Sequence, residues 1–198
     1  MQRSRGNDQH GRYDVAWIRL TERVATPAVR RRVNADLERE ARSRICEADP
    51  QRREHLDAWF EMKVTYLGPR LLGVSTAEDV FCGGAYPNHG TRALLYDLRT
   101  GARIDLEEQM VDPRAFRRFI ARRALAAAPR DAEECSSEYT ADRLAHTGYI
   151  YILRGRTLTA TQDYPHVIQA CAYETAIAHA DVLRFVKPGS PLLSLRPR

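Results

Sequence analysis

Several things are missing from this sequence, and each absence closes off a class of function. No apolar run is long: residues 124–128 and 149–153 are the longest, far below the ~20 needed to cross a bilayer, so no membrane-spanning helix is expected. Cys46, Cys82, Cys135 and Cys171 include no close Cys-x-x-Cys pair of the kind from which structural zinc sites are built. The six histidines (10, 55, 89, 146, 166 and 179) never fall in His-x-His or His-x-x-x-His spacing, so no metal is expected. Around Ser75, Ser136 and Ser190 there is no Gly-x-Ser-x-Gly, the elbow that exposes a nucleophilic serine. The glycines at 83 and 84 are not followed by Gly-Lys-Ser/Thr, so they form no phosphate loop. Lysine is nearly absent too: of 31 basic residues only Lys63 and Lys187 are lysine, a bias that speaks of a GC-rich coding genome more than of function.

What is present describes a folded chain. With 198 residues, 43% hydrophobic, 29% charged, 11 Gly and 10 Pro, it has the length to bury about two-thirds of its unfolded surface, and its composition is neither disordered nor collagen-like. The net charge of +5 arises from mixed signs, Arg30–Arg32 being followed by Asp36, Glu38 and Glu40. The basic clusters at 30–32, 114–123 and 196–198 read as solvated faces, and no nucleic-acid partner is expected. Residues 1–11 are polar, lack the apolar core of a secretion signal, and are expected to be a flexible leader; 12–193 reads as one domain and 194–198 as a tail.

The four cysteines allow two readings: buried cytosolic thiols, or two disulfides and an oxidising compartment. Among the three connectivities, Cys46 with Cys82 and Cys135 with Cys171 is chosen, each tying a residue near a helix end or loop to a strand.

Periodicity outlines the elements. Residues 13–20 read as a strand. Thr26 and Pro27 open a helix whose apolar face carries Val29, Val33, Leu37, Ala41 and Ile45, ending near Cys46 with Asp49-Pro50 beyond it. Residues 57–67 and 71–82 form a hairpin about Gly68-Pro69-Arg70, and 91–98 return as a third antiparallel strand. Asp105 caps a short turn through Met110, and Asp112-Pro113 opens a second helix bearing Phe116, Phe119, Ile120 and Ala124, which ends before Pro129. A second hairpin covers 149–153 and 157–162, followed by a strand at 172–177 and a helical turn at 180–183. Hairpins outnumber crossovers, so the predicted class is α+β: mainly antiparallel hairpins with two principal helices packed on them.

The stretch Cys82-Gly83-Gly84-Ala85-Tyr86-Pro87-Asn88, followed by Tyr96-Asp97-Leu98-Arg99-Thr100-Gly101 and on to Leu106, resembles the extracytoplasmic domain of RsiV-like proteins. That family has a Gly-Gly-Ala-His-Pro-Asn-like loop leading into a strand and a Tyr-Asp-Leu-x-Thr-Gly turn. The early helix with Asn34 and Leu37, the late hairpin and the closing segment 183–192 look similar as well, so the resemblance spans roughly 12–193. Tyr86 stands where the family more often has His, so no metal or proton role is carried over for that position. The resemblance implies an exported cell-envelope module without chemistry of its own, since relatives serve as lysozyme-binding sensor regions of anti-sigma factors or sit beside peptidoglycan deacetylase domains. It also favours the disulfide reading.

Candidate binding residues are therefore Gly83, Gly84, Tyr86, Asn88 and His89, a glycine-turned loop offering aromatic and polar contacts, with Asp57 and Glu61 on one strand face. A cationic lysozyme-like partner would require Asp57, Glu61, Glu78 and Asp79 to form a local acidic patch; the other expected partner is peptidoglycan. The rival class is a cell-wall glycan hydrolase or deacetylase-type enzyme using an Asp/Glu pair, which needs two carboxylates at ~5–9.5 Å. No cofactor is expected. Titration of the purified protein with a thiol reagent under denaturing conditions should find no free thiol; four would overturn the exported, doubly bridged reading.

Overall fold

The computed structural model describes residues 1–8, 11–46, 56–83, 86–129 and 133–195. Its architecture is α+β, with strands in two mostly antiparallel sheets and helices packed on them. Within the span read as one domain, two compact units are distinguished: Met1–Val64 with Val74–Arg103, and Thr65–Gly73 with Ile104–Arg198. Each contains one disulfide, Cys46–Cys82 in the first and Cys135–Cys171 in the second, the connectivity chosen from the sequence. With a sequence separation of 36 in each case, loop closure contributes about 4 kcal/mol per bridge in the chain-entropy treatment.

The first unit is built on a six-stranded sheet in sequence order: β1 (Gln2–Asp8), β2 (Gly11–Trp17), β3 (Leu56–Leu67), β4 (Leu71–Phe81), β5 (Asn88–Asp97) and β6 (Ala102–Arg103). The tip of the β3–β4 hairpin groups with the second unit. Two features depart from the sequence reading. The supposed flexible leader is strand β1, paired antiparallel with β2 from Gln2↔Trp17 to Asp8↔Gly11. Its residues Gln-Arg-Ser-Arg-Gly-Asn-Asp carry no apolar alternation; the backbone ladder and the ion pairs of Arg3 and Arg5 with Asp14, at 2.7 and 3.0 Å, hold it. The other departure is that β2 pairs with β3 in parallel, Arg12↔Asp57 through Ala16↔Glu61, with helix α1 (Pro27–Arg42) lying in the connection.

α1 explains why the sheet has two unlike faces. Val29, Val33, Leu37 and Ala41 recur at four-residue spacing and are all buried. Val, Val and Leu each contribute roughly 1.5–3 kcal/mol by leaving water. Polar groups set the docking: the Asn34 carboxamide accepts from Leu20 N at 2.7 Å and donates to Leu20 O at 3.2 Å. The Tyr96 hydroxyl donates to Asp36 at 2.8 Å, and the Arg42 guanidinium lies 5.7 Å from the Trp17 ring centre. Thr26 occupies the N-cap position without a side-chain hydrogen bond, so Pro27 alone marks the start. Alternation along the strands puts Trp17, Val15 and Phe60 on this covered face.

The second unit carries a three-stranded antiparallel sheet, β7 (Tyr149–Arg154), β8 (Thr157–Gln162) and β9 (Glu174–Ala178). Helix α2 (Pro113–Ala127) starts at Asp112, whose Oδ1 accepts from Ala115 N at 3.0 Å. It buries Phe116, Ile120, Ala121 and Ala124. The polar stretch after Pro129, left unassigned by periodicity, holds a short helix α3 (Ala141–His146) capped by Thr140. Its single buried side chain, Leu144, meets Ala121 and Ala124, which is too little to register as an apolar face. Phe116 lies between Tyr151 at 5.7 Å and Phe185 at 5.6 Å, and the Tyr151 hydroxyl donates to Glu107, itself paired with Arg117. Helix α4 (His179–Val182) follows β9 directly.

His179 is buried, its ring 5.9 Å from that of Tyr66 and its Nε2 unpartnered. Burial pushes its pKa below the ordinary 6.5, only partly opposed by a hydrogen bond with the Thr157 backbone. The unfolded chain therefore binds this proton near pH 6.5 while the fold resists it, so stability is full above about pH 7.5 and falls as pH drops through 6.5. Comparing unfolding free energies at pH 7.5 and 5.5 should show this loss, and His179→Phe should flatten the slope; an unchanged slope would contradict it.

Candidate functional site

The face of the six-stranded sheet opposite α1 carries the side chains of the other alternation phase. On β3 these are Asp57, Trp59, Glu61 and Lys63, between the buried Leu56, Ala58, Phe60 and Met62. The parallel register sets Arg12 beside Asp57 and Asp14 beside Trp59. Arg12 grips Asp57 in a fork, with Nε at 3.1 and 3.0 Å from the two carboxylate oxygens and Nη2 at 2.8 Å from Oδ2. That contact holds the guanidinium pKa above its ordinary value. Arg3 and Arg5 reach Asp14 from β1, Lys63 lies 3.5 Å from Glu61, and His89 Nδ1 lies 3.2 Å from Asp79.

Amid these ion pairs lies an aromatic surface. Trp59 is 40% exposed, unusual for an indole on a central strand. Two cavities adjoin it. One, of about 550 Å³, is walled by Arg5, Asn7 and Asp14; the other, of about 520 Å³, by Asp79, Phe81 and Pro87; both share Arg12, Asp57 and Trp59. The result is a trough with an indole and a planar ion pair at its middle. Leaving His89 aside, the cations Arg3, Arg5, Arg12 and Lys63 match the anions Asp14, Asp57, Glu61 and Asp79, so the face is charge-balanced.

Of the residues singled out from the sequence, Asp57 lies at the centre of this trough and Glu61 two positions along the same strand face. His89 joins the face through Asp79, whereas Asn88, one residue earlier on β5, has the opposite phase. Gly83 has φ +88, a conformation that favours glycine and turns the chain beside Cys82. Tyr86 is 77% exposed and its neighbour Pro87 lines the second cavity. Gly84 lies outside the described residues. Sequence reasoning missed Arg12, Asp14, Trp59 and Phe81. Trp59 was within reach, since it sits between Asp57 and Glu61 in the same alternation; Arg12 was not, because the parallel crossover that brings it in has no local signal.

Glu78 does not join the open face, and the acidic patch imagined around it does not form. One residue out of phase with Asp79, it points toward α1, is buried, and meets Arg44 at 3.0 Å and Arg92 at 3.5 Å. Glu40 completes the cluster, 2.7 Å from Arg44 and 3.3 Å from Arg103. Burial alone would raise its pKa, but the hydrogen bond from Arg44 and the charge of Arg103 outweigh this and hold it below the ordinary carboxylate value. Gly90 makes room for the arrangement, because a Cβ there would stand 3.3 Å from Glu78 Oε1. Among the described residues, no three His, Cys, Asp or Glu side chains converge as a metal site.

The two groups of charges should therefore respond differently to substitution. Glu78→Ala takes the buried partner from Arg44, leaving it Glu40 alone, and should cost about 2 kcal/mol in denaturant unfolding; Asp57→Asn, at an exposed pair, should cost less than about 1 kcal/mol. Equal losses would contradict the division into scaffold and surface.

No protein-family model matches the chain, and no curated protein matches it. Solved structures do. A crystal structure of a DUF3298 family protein from Pseudomonas aeruginosa PAO1 aligns with a TM-score of 0.61 and 15% identity, over 100% of this chain and 96% of that one. A DUF3298 family member from Bacteroides fragilis NCTC 9343 aligns with a TM-score of 0.56 and 12% identity, over 86% of this chain and 68% of that one. At these identities the likeness is one of fold: this chain has the fold of DUF3298 family proteins.

Proposed function

We propose that this chain is an exported, non-enzymatic binding module of the bacterial cell envelope, and that the open sheet face around Trp59 recognises peptidoglycan. The DUF3298 fold, a domain found in RsiV-like proteins, and a disulfide in each unit support an envelope role outside the reducing cytosol.

The observation that carries the choice of ligand is the exposed indole set among paired charges. A sugar ring presents a C–H face that packs on an aromatic ring and hydroxyls that meet fixed carboxylates and guanidinium groups. A cationic lysozyme-like protein would need a net acidic patch; this face balances its charges, and the whole chain at +5 repels such a partner. Anionic wall polymer is attracted by the same net charge. Against the hydrolase or deacetylase reading stand the ion pairs themselves. Asp57 has both oxygens engaged by Arg12 and Glu61 is beside Lys63, so the Asp57/Glu61 pair is held in ion pairs and not set as the acid and base of a glycan hydrolase.

The protein should sediment with purified peptidoglycan, and Trp59→Ala should weaken this by about tenfold, or ~1.4 kcal/mol, without loss of thermal stability. Absence of co-sedimentation together with micromolar binding to lysozyme would replace peptidoglycan by the protein partner. New reducing ends or released acetate on incubation would replace the binding module by an enzyme.

A further inference from the structure

The two cavities are not separate sites. Both are bounded by Arg12, Asp57 and Trp59, one extending toward Arg5 and Asn7 over β1 and β2 and the other toward Phe81 on β4. The indole is thus a partition shared by two compartments, each with its own carboxylate, Asp14 on one side and Asp79 on the other, and Phe81 adds a second ring to the Asp79 side alone. A ligand confined to one compartment uses the indole from one side and leaves the other compartment filled with water.

From this the geometry points to a single extended binding site in which one linear glycan crosses the strands and occupies both compartments, its middle sugar over Trp59 and the Arg12–Asp57 pair. This rests on the glycan reading above and specifies it: the ligand is a chain of β-1,4-linked, uncharged N-acetylated aminosugars, and the recognised length exceeds a disaccharide. Three inter-strand steps from β1 to β4 span roughly 14 Å, about three sugars at ~5 Å each. Charge balance across the face agrees with an uncharged backbone as the ligand. The open trough also has room for chain ends to continue past the site, as a polymer requires.

The test is calorimetric titration of the full chain with N-acetylglucosamine oligomers of two to six units. Affinity should rise at least tenfold from the dimer to the trimer or tetramer and then level off, with one oligomer bound per chain. Phe81→Ala should remove that gain while changing dimer affinity less than twofold, because the dimer retains the Asp14 compartment. Trp59→Ala should weaken binding at every length. Equal affinity for dimer and tetramer, two oligomers per chain, or no oligomer binding by a protein that still sediments with peptidoglycan would each overturn the continuous site and leave the peptidoglycan reading intact. Failure to sediment with peptidoglycan at all would overturn both.

Discussion

The parallel pairing of β2 with β3 is the constraint on which the open face depends. It aligns Arg12 with Asp57, residues separated by 45 positions, and it exists because α1 fills the connection and buries its apolar stripe against one side of the sheet. A parallel neighbour needs a crossover, and a crossover helix covers only one face. The same event therefore builds the core and leaves the opposite face in solvent. Without it, Trp59 would have no Arg12–Asp57 pair beside it, and Arg5, Asn7 and Asp14 would not wall a cavity with Asp57.

Charge in the first unit is divided by this geometry. On the helix side, Glu40, Glu78 and Arg44 are enclosed and depend on one another for charge pairing, with the half-exposed Arg92 and Arg103 closing the network from its rim. On the open side, pairs such as Arg12–Asp57 remain half in solvent, where their contribution to stability is small and their planar polar edges are available to a ligand. Glu78 and Asp79 are adjacent in sequence and serve opposite purposes, because successive side chains of a strand point to opposite faces.

Trp59 is the aromatic residue that sets the open face apart. Core aromatics of both units are enclosed: Phe60 and Tyr96 in the first, Phe116 in the second. An indole left substantially in water on a central strand serves no such packing, and its neighbours hold shape around it through ion pairs at 2.7 to 3.5 Å. The Gly83 turn and the Cys46–Cys82 bridge secure the far end of β4, from which Phe81 lines the trough.

Elements with strong local signals are legible in the residues alone: α1 and α2 from their four-residue apolar spacing and proline starts, the hairpins from alternation broken by glycine, and the α+β class that follows. Their order also holds Asp57, Trp59 and Glu61 on one face, since alternation is a property of consecutive residues. The rest depends on contacts between distant segments. β1 has no apolar pattern and is a strand because β2 offers it a backbone edge; α3 has one buried leucine and is ordered by its packing on α2. Arg12 meets Asp57, and Glu78 turns away from Asp79 to bury itself beside Arg44, because strand order, register and the face covered by α1 are relations between distant segments, which no local pattern of residues encodes.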